Sequence, residues 1–246
     1  MSGKVLKIGD FTITSGFCMD KLPARHLVIQ TINAYSWTIA ERLQVFKQAL
    51  LESDVLLPDG VSIVFAARLL TGQRIKKMAG ADIHRLLLGL LQASGGSCFY
   101  LGASEKALAK IKERIRAEYP AVRMSSYSPP FKHTFTEEEN DLMCEAVNSF
   151  APDVLFIGMT APKQELWVHA NKQRLHTNVI CTVGAVFDFY AGTQKRPSPR
   201  MQQLGLEWFG RLLKNPRRLW KRYLIFNFVF LYHIFTLWQS KRRLRC

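Results

Sequence analysis

Val154-Leu155-Phe156-Ile157-Gly158, followed almost at once by Thr160-Ala161-Pro162-Lys163-Gln164-Glu165, is the stretch on which the fold turns. Its apolar residues do not alternate with polar ones, so they read as a strand buried on both faces, and proline suits the first turn of the helix that follows. The same unit recurs on either side. Cys98-Phe99-Tyr100-Leu101-Gly102 precedes Ser104, a cap for a helix towards Tyr119, and Val179 to Val183 precedes Gly184. His26 to Ile32 ends at Asn33 with a helix through about Leu51. Val55 to Leu57 stops at Pro58-Asp59-Gly60 before a helical Val61 to Leu70. Thr136-Glu137-Glu138-Glu139 opens another helix as a capping box, and Ser128-Pro129-Pro130 is a loop. A basic loop, Gln73 to Lys77, leads to a helix opening near Gly80-Ala81-Asp82, and the first twenty residues read as short strands around a turn. Short apolar strands alternating with helices predict an α/β fold: a Rossmann-like, mostly parallel sheet with helices on both faces.

The chain has 246 residues and a formal net charge of +15, which points to an anionic partner. The excess is local. Ten basic residues lie from Arg211 onward (Arg211, Lys214, Arg217, Arg218, Lys221, Arg222, Lys241, Arg242, Arg243 and Arg245), and no Asp or Glu follows Glu207. We therefore divide the chain into a core over 1–204 and a basic, amphipathic, helical appendage over 205–246. Cys18, Cys98, Cys144, Cys181 and Cys246 are dispersed without ligand spacing, which predicts free thiols in a reducing compartment. The opening MSGKVLKIGDFTI lacks the pattern of a secretion signal, so the protein is expected to stay in the cytoplasm.

In a parallel sheet, ligands bind at the carboxyl ends of the strands. That rule selects Thr31-Ile32-Asn33, Pro58-Asp59-Gly60, Gly102-Ala103-Ser104, Gly158 to Glu165, and Gly184 to Asp188. Asp59, between proline and glycine, can accept a proton from an attacking hydroxyl; a turn aspartate or helix cap is the plain alternative. Lys163 and Gln164 open a helix whose free N–H groups suit an anion, against simple capping with Glu165 offsetting the dipole. Lys76 and Lys77 can face a diphosphate or merely solvent. Asp188 can bind a ribose or base edge, or start a helix. His26, His84, His133, His169, His176 and His233 show no ligand pairing, and there is no Asp-x-Asp pair, so no metal and no cofactor is expected. Lys, Arg and backbone N–H groups must then neutralise a diphosphate leaving group. Neither a Walker loop nor Gly-x-Gly-x-x-Gly occurs.

Leu224 to Trp238 is a 15-residue apolar run between basic clusters, shorter than the ~20 residues of a spanning helix. With Trp220, Tyr223, Tyr232 and Trp238 as interfacial aromatics, it predicts a helix lying on an anionic membrane surface. The alternative is a helix buried in the core or in a contact between copies, a homo-oligomer. Phe and Leu between the basic clusters suit lipid better than a groove that tracks phosphates, so no nucleic acid is expected.

The chain resembles the bacterial WecG/TagA/CpsF glycosyltransferases. The matching residues are Thr31-x-Asn33, Leu57-Pro58-Asp59-Gly60, Lys77-Met78-Ala79-Gly80-Ala81-Asp82, Ala161-Pro162-Lys163-Gln164-Glu165 and Val183-Gly184-Ala185-Val186-Phe187-Asp188, then Ala191-Gly192, Lys195-Arg196-Pro197 and Gly205-Leu206-Glu207-Trp208 with Arg211-Leu212. The resemblance implies an inverting, metal-independent transfer from a UDP-sugar to a polyprenyl-diphosphate-linked glycan acceptor, in cell-surface polysaccharide biosynthesis at the cytoplasmic face of the inner membrane. It implies Asp59 as general base, Thr31 and Asn33 in the same pocket, and Gln164 on the donor. Lys77, Asp82, Lys163 and Asp188 join the expected substrate-binding set. An appendage that completes the site and docks on the membrane adds Arg211, Arg217, Arg218 and Arg222. Three residues depart from the family pattern: Lys77 stands where arginine is usual, keeping the charge but losing the bidentate fork, Ala185 replaces glycine, and Ala81 replaces a small hydroxyl residue. A non-catalytic membrane adaptor would account for the tail but not for the polar residues at the strand ends, and a nucleotide-binding regulator would account for the pocket but not for the tail.

Overall fold

The computed structural model describes residues 1–24, 26–198, 200–201 and 205–243, apart from the side chain of Arg218. The expected boundary after residue 204, the Arg218 side chain, Arg245 and Cys246 fall outside them. An antiparallel hairpin, β1 (Ser2–Ile8) and β2 (Phe11–Cys18), precedes the main sheet. The sheet strands are β3 (Leu27–Ile32), β4 (Val55–Pro58), β5 (Ser97–Gly102), β6 (Arg123–Tyr127), β7 (Val154–Gly158) and β8 (Val179–Thr182). They lie in the order β4-β3-β8-β7-β5-β6 and every pairing is parallel, so all strand-end loops emerge at one edge. The expected α/β sheet with helices on both faces is what the chain forms.

One face is covered by α4 (Gly80–Ser94), α5 (Glu105–Glu118) and α8 (Val186–Tyr190), whose apolar residues share a core with β3, β4, β5, β7 and β8. On the opposite face, α6 (Glu137–Phe150) and α7 (Lys163–Asn171) cover the β5, β7 and β8 side. The β3–β4 side is covered by α1 (Ala34–Ala40), α2 (Gln44–Leu51) and α3 (Val61–Thr71), with the hairpin packed among them. The capping expectations hold. Thr136 and Glu139 form a reciprocal capping box on α6, and the Ser104 hydroxyl accepts from the Ala107 N–H.

Two elements differ from expectation. The helix after Asn33 is broken at Glu41-Arg42-Leu43 into α1 and α2, because α1 packs under the C-terminal helix while α2 packs on α7. Arg123–Tyr127, with no apolar run, is nevertheless strand β6: it is the edge strand, pairs only with β5, and needs no fully buried side chains.

The appendage begins with α9 (Glu207–Lys214). From α10 (Pro216–Trp220) the chain continues through a π-helical turn at Lys221–Ile225 into α11 (Phe226–Arg243). The apolar run is therefore divided between the core and the surface. One face of α11 enters the body: Phe230 and Ile234 are fully buried, and Phe230 meets the Trp37 ring edge-on at 5.7 Å. The Thr38 hydroxyl donates to the Phe226 carbonyl beside the π turn, and Lys241 Nζ donates to Leu70 O at the end of α3. The other face exposes Phe228, Leu231, Tyr232 and Phe235, in line with Leu224 and Ile225 of the π turn. Among the described residues, no helix is long and apolar enough to cross a membrane.

Candidate active site

Four of the five strand-end segments converge, with the loop before α4 and the appendage, around a cleft of about 520 Å³. The fifth, Gly102-Ala103-Ser104, does not reach it. There Gly102 is pressed against Gly158, where a Cβ would come within 2.7 Å of the Gly158 carbonyl oxygen, and Ala103 O accepts from the Ser128 hydroxyl. This segment packs strands and caps α5.

Asp59 lines the cleft just past β4, where its N–H donates to Ile32 O at 2.9 Å and ties it to the end of β3. The turn requires Gly60, whose φ of 111° is closed to most L side chains. Asn33 caps α1, its Oδ1 accepting from the N–H groups of Tyr35 and Ser36, and it lines the cleft together with Asp59. Crowding by protein atoms raises the Asp59 pKa, and the Glu207 carboxylate raises it further. Lys77, Arg211 and the neighbouring Asn33 side chain pull it back. The result is a carboxylate more basic than an ordinary aspartate, beside an open volume. Thr31 lines the same wall.

The cations come from two directions. Lys77 reaches in from the core, while Arg211 of α9 and Arg222 of the π turn arrive from the appendage, and all three line the cleft. Arg222 lies over the Tyr35 ring at 4.2 Å and Arg211 over Phe189 at 5.3 Å, so each guanidinium is held by an aromatic face. Burial pulls the Arg222 pKa below its ordinary value. A π turn adds one residue to a helical turn and redirects the side chains it carries, which suits its placement here.

Gln164 and Glu165 line the cleft from the start of α7 and are almost wholly buried. Gln164 Nε2 donates to Glu165 Oε1 at 2.8 Å, whereas Gln164 Oε1 and Glu165 Oε2 have no hydrogen-bond partner within the protein. Burial pushes the Glu165 carboxyl up to about 7, against the pull of the Gln164 hydrogen bond and of Arg222. Asp188 is also in the cleft, its carboxylate accepting from Thr193 Oγ1 and Gln194 Nε2, each at 3.2 Å.

Three expected site residues lie elsewhere. The Asp82 carboxylate accepts from the Ala79 N–H and caps α4. Lys163 turns away, donating to the Lys132 carbonyl with its ammonium over the Phe135 ring. Arg217 is solvent-exposed outside the cleft lining. Conversely, Tyr35, Arg196, Glu207 and Trp208 line the cleft without having been singled out by spacing, as do Glu165, expected only to offset a helix dipole, and Tyr223, expected at a membrane interface. Arg196 and Glu207 lie within matching motifs, a signal that had no role attached. Among the described residues, no group of three or more His, Cys, Asp or Glu is placed to hold a metal ion.

The family described as Glycosyl transferase WecG/TagA/CpsF matches residues 15–245 of this chain. The N-acetylglucosaminyldiphosphoundecaprenol N-acetyl-beta-D-mannosaminyltransferase of Bacillus subtilis (strain 168) is 30% identical over 197 residues, covering 80% of this chain and 75% of that protein. Its namesake from Bacillus spizizenii is 27% identical over 179 residues, 73% of this chain and 67% of that one. The namesake from Staphylococcus aureus (strain MW2) is 24% identical over 197 residues, 80% and 74% respectively.

Proposed function

Since the chain belongs to the WecG/TagA/CpsF glycosyl transferase family and is a glycosyltransferase, we propose that it moves a sugar from a UDP-sugar to an acceptor carried on polyprenyl diphosphate, with inversion at the anomeric carbon. The observation that carries this reading is Asp59: a carboxylate of raised basicity, open to the cleft and faced by Lys77 and Arg211. In a single displacement the acceptor hydroxyl oxygen bonds to the anomeric carbon as its proton passes to Asp59. The bond from that carbon to the diphosphate oxygen breaks, and UDP leaves with the electron pair. Lys77, Arg211 and Arg222 balance the charge that develops on the leaving diphosphate. Asn33 orients Asp59, Gln164 presents a free amide oxygen to the donor, and Asp188 is a partner for its ribose.

The appendage brings the acceptor to this cleft. The apolar stripe left exposed on α11, with Lys221 and Arg217 before it and Lys241, Arg242 and Arg243 after it, suits an anionic membrane surface in which a polyprenyl chain is dissolved. On this reading the enzyme works peripherally at the cytoplasmic face of the membrane, with residues 205–246 acting as docking unit and active-site wall together. The test is transfer from a panel of UDP-sugars to a short-chain prenyl-diphosphate N-acetylglucosamine in EDTA. Product formation with one preferred donor supports the proposal, and the donor names the sugar. A chain that binds UDP but transfers from no donor in the panel refutes it.

A further inference from the structure

Glu207, the first residue of α9, holds two cations of the cleft. Arg196 addresses it with a two-pronged fork, Nε to Oε1 at 3.0 Å and Nη2 to Oε2 at 3.1 Å, and Lys77 Nζ stands 3.8 Å from Oε2. All three side chains line the cleft and keep about a fifth of their surface in solvent, at 20%, 18% and 23% for Arg196, Glu207 and Lys77. The proposed function leaves Arg196 without a task.

A carboxylate in a guanidinium fork presents two oxygens in the geometry a phosphate would present to the same fork. Here that carboxylate sits among cations facing the volume that must take a diphosphate, and it stands close enough to Asp59 for the two to repel. A clasp serving only to fasten the appendage would be redundant. The appendage is already fastened by Phe230 and Ile234 in the core, by Lys241 on the Leu70 carbonyl, by Thr38 on the Phe226 carbonyl, and by Gly205, where a Cβ would come within 2.2 Å of Val61. None of those contacts places a charge in the cleft.

We infer that Arg196 is a diphosphate-binding residue of this enzyme, and that Glu207 is the internal anion that occupies its fork until a diphosphate arrives. The inference rests on the glycosyl-transfer reading above. Arriving phosphate oxygens take over the Arg196 fork, and Lys77 turns from Glu207 to the same ligand. Glu207 thus neutralises Lys77 and Arg196, two of the cations that line the cleft, in the free enzyme. In exchange it lowers affinity for the ligand.

Opposite signs make this testable. UDP is titrated calorimetrically into the full chain for wild type, Glu207→Gln, Arg196→Gln and Arg196→Lys, with uridine as the ligand lacking phosphates. Removing the competing charge should tighten UDP about fivefold in Glu207→Gln, from the Coulomb energy of one charge several ångströms from the diphosphate at a partly exposed site. Losing the fork should weaken it about tenfold in Arg196→Gln, with Arg196→Lys in between. Uridine should bind all four alike. If UDP is unmoved but the KM for prenyl-diphosphate N-acetylglucosamine shifts in opposite directions in the two Gln variants, Arg196 serves the acceptor's diphosphate, and the inference stands with that ligand. If Glu207→Gln weakens binding along with Arg196→Gln, or neither ligand responds, the pair is a structural clasp and the inference is overturned. The Arg196→Lys protein keeps the charge should Arg196→Gln fail to fold. Wild type that transfers normally while the variants are silent refutes only this inference; wild type that neither binds UDP nor transfers refutes the function as well.

Discussion

Replacing Glu165 by glutamine should change how stability depends on pH by an amount that follows from its burial. The carboxyl is 2% exposed, one oxygen has no partner in the protein, and its pKa rises from 4.5 to about 7 on folding. A carboxyl whose folded pKa is raised favours the native state while protonated. Its contribution is intact below 4.5, is lost as pH rises towards 7, and is absent above that. At 1.36 kcal/mol per pH unit the whole loss is about 3 kcal/mol, of which roughly 2 kcal/mol develops between pH 5 and pH 8.5. Glutamine does not titrate, and all other groups titrate alike in both proteins, so their difference isolates this one carboxyl. Urea unfolding of wild type and Glu165→Gln at pH 5, 6, 7 and 8.5 should show the variant gaining on wild type by roughly 2 kcal/mol over that range. A difference that stays constant within error would refute the account of Glu165 as a buried acid held near neutrality.

The two faces of α11 should behave oppositely. Phe230→Ala removes a fully buried ring from against Trp37 and should cost about 3–5 kcal/mol in urea unfolding. Phe228→Ala, at 78% exposure, should leave stability within about 0.5 kcal/mol yet weaken sedimentation with phosphatidylglycerol vesicles. Gly158→Ala should destabilise by about 1–3 kcal/mol and lower the melting temperature, because the new Cβ would come within 2.3 Å of the buried Phe187 ring. The acid limb of kcat/KM should lie above the ordinary aspartate range, since Asp59 must be ionised to accept a proton and its pKa is raised; turnover falls as pH drops through that value.

The sheet was legible wherever strands are buried on both faces. Val154–Gly158, Ser97–Gly102 and Val179–Thr182 each show a continuous apolar run, and parallel order places their ends together. Arg123–Tyr127 was not legible, because an edge strand needs a single partner and tolerates polar, half-buried residues. Nor does anything local in Glu41-Arg42-Leu43 signal the break between α1 and α2, which answers to what each helix packs against. The strand-end rule found Thr31, Asn33, Asp59, Gln164 and Asp188. It could not tell Lys163, which folds back over Phe135, from Gln164, its neighbour, which enters the cleft. The appendage was visible as charge and apolar run, but which face of α11 joins the core depends on Trp37, almost two hundred residues earlier in the chain. The meeting of Arg196, Glu207 and Lys77 is likewise a product of tertiary closure, with Lys77 far from the others in sequence.

The central claim is that Asp59 takes the acceptor's proton. Single-turnover transfer from the preferred UDP-sugar to a short-chain prenyl-diphosphate N-acetylglucosamine, wild type against Asp59→Asn with UDP binding measured alongside, tests it most directly. The account predicts a rate lower by about 10²–10⁴-fold with UDP affinity not weakened, since asparagine keeps the shape, loses the base and removes a negative charge from the cleft. An Asp59→Asn enzyme that transfers within a few fold of wild type would contradict it.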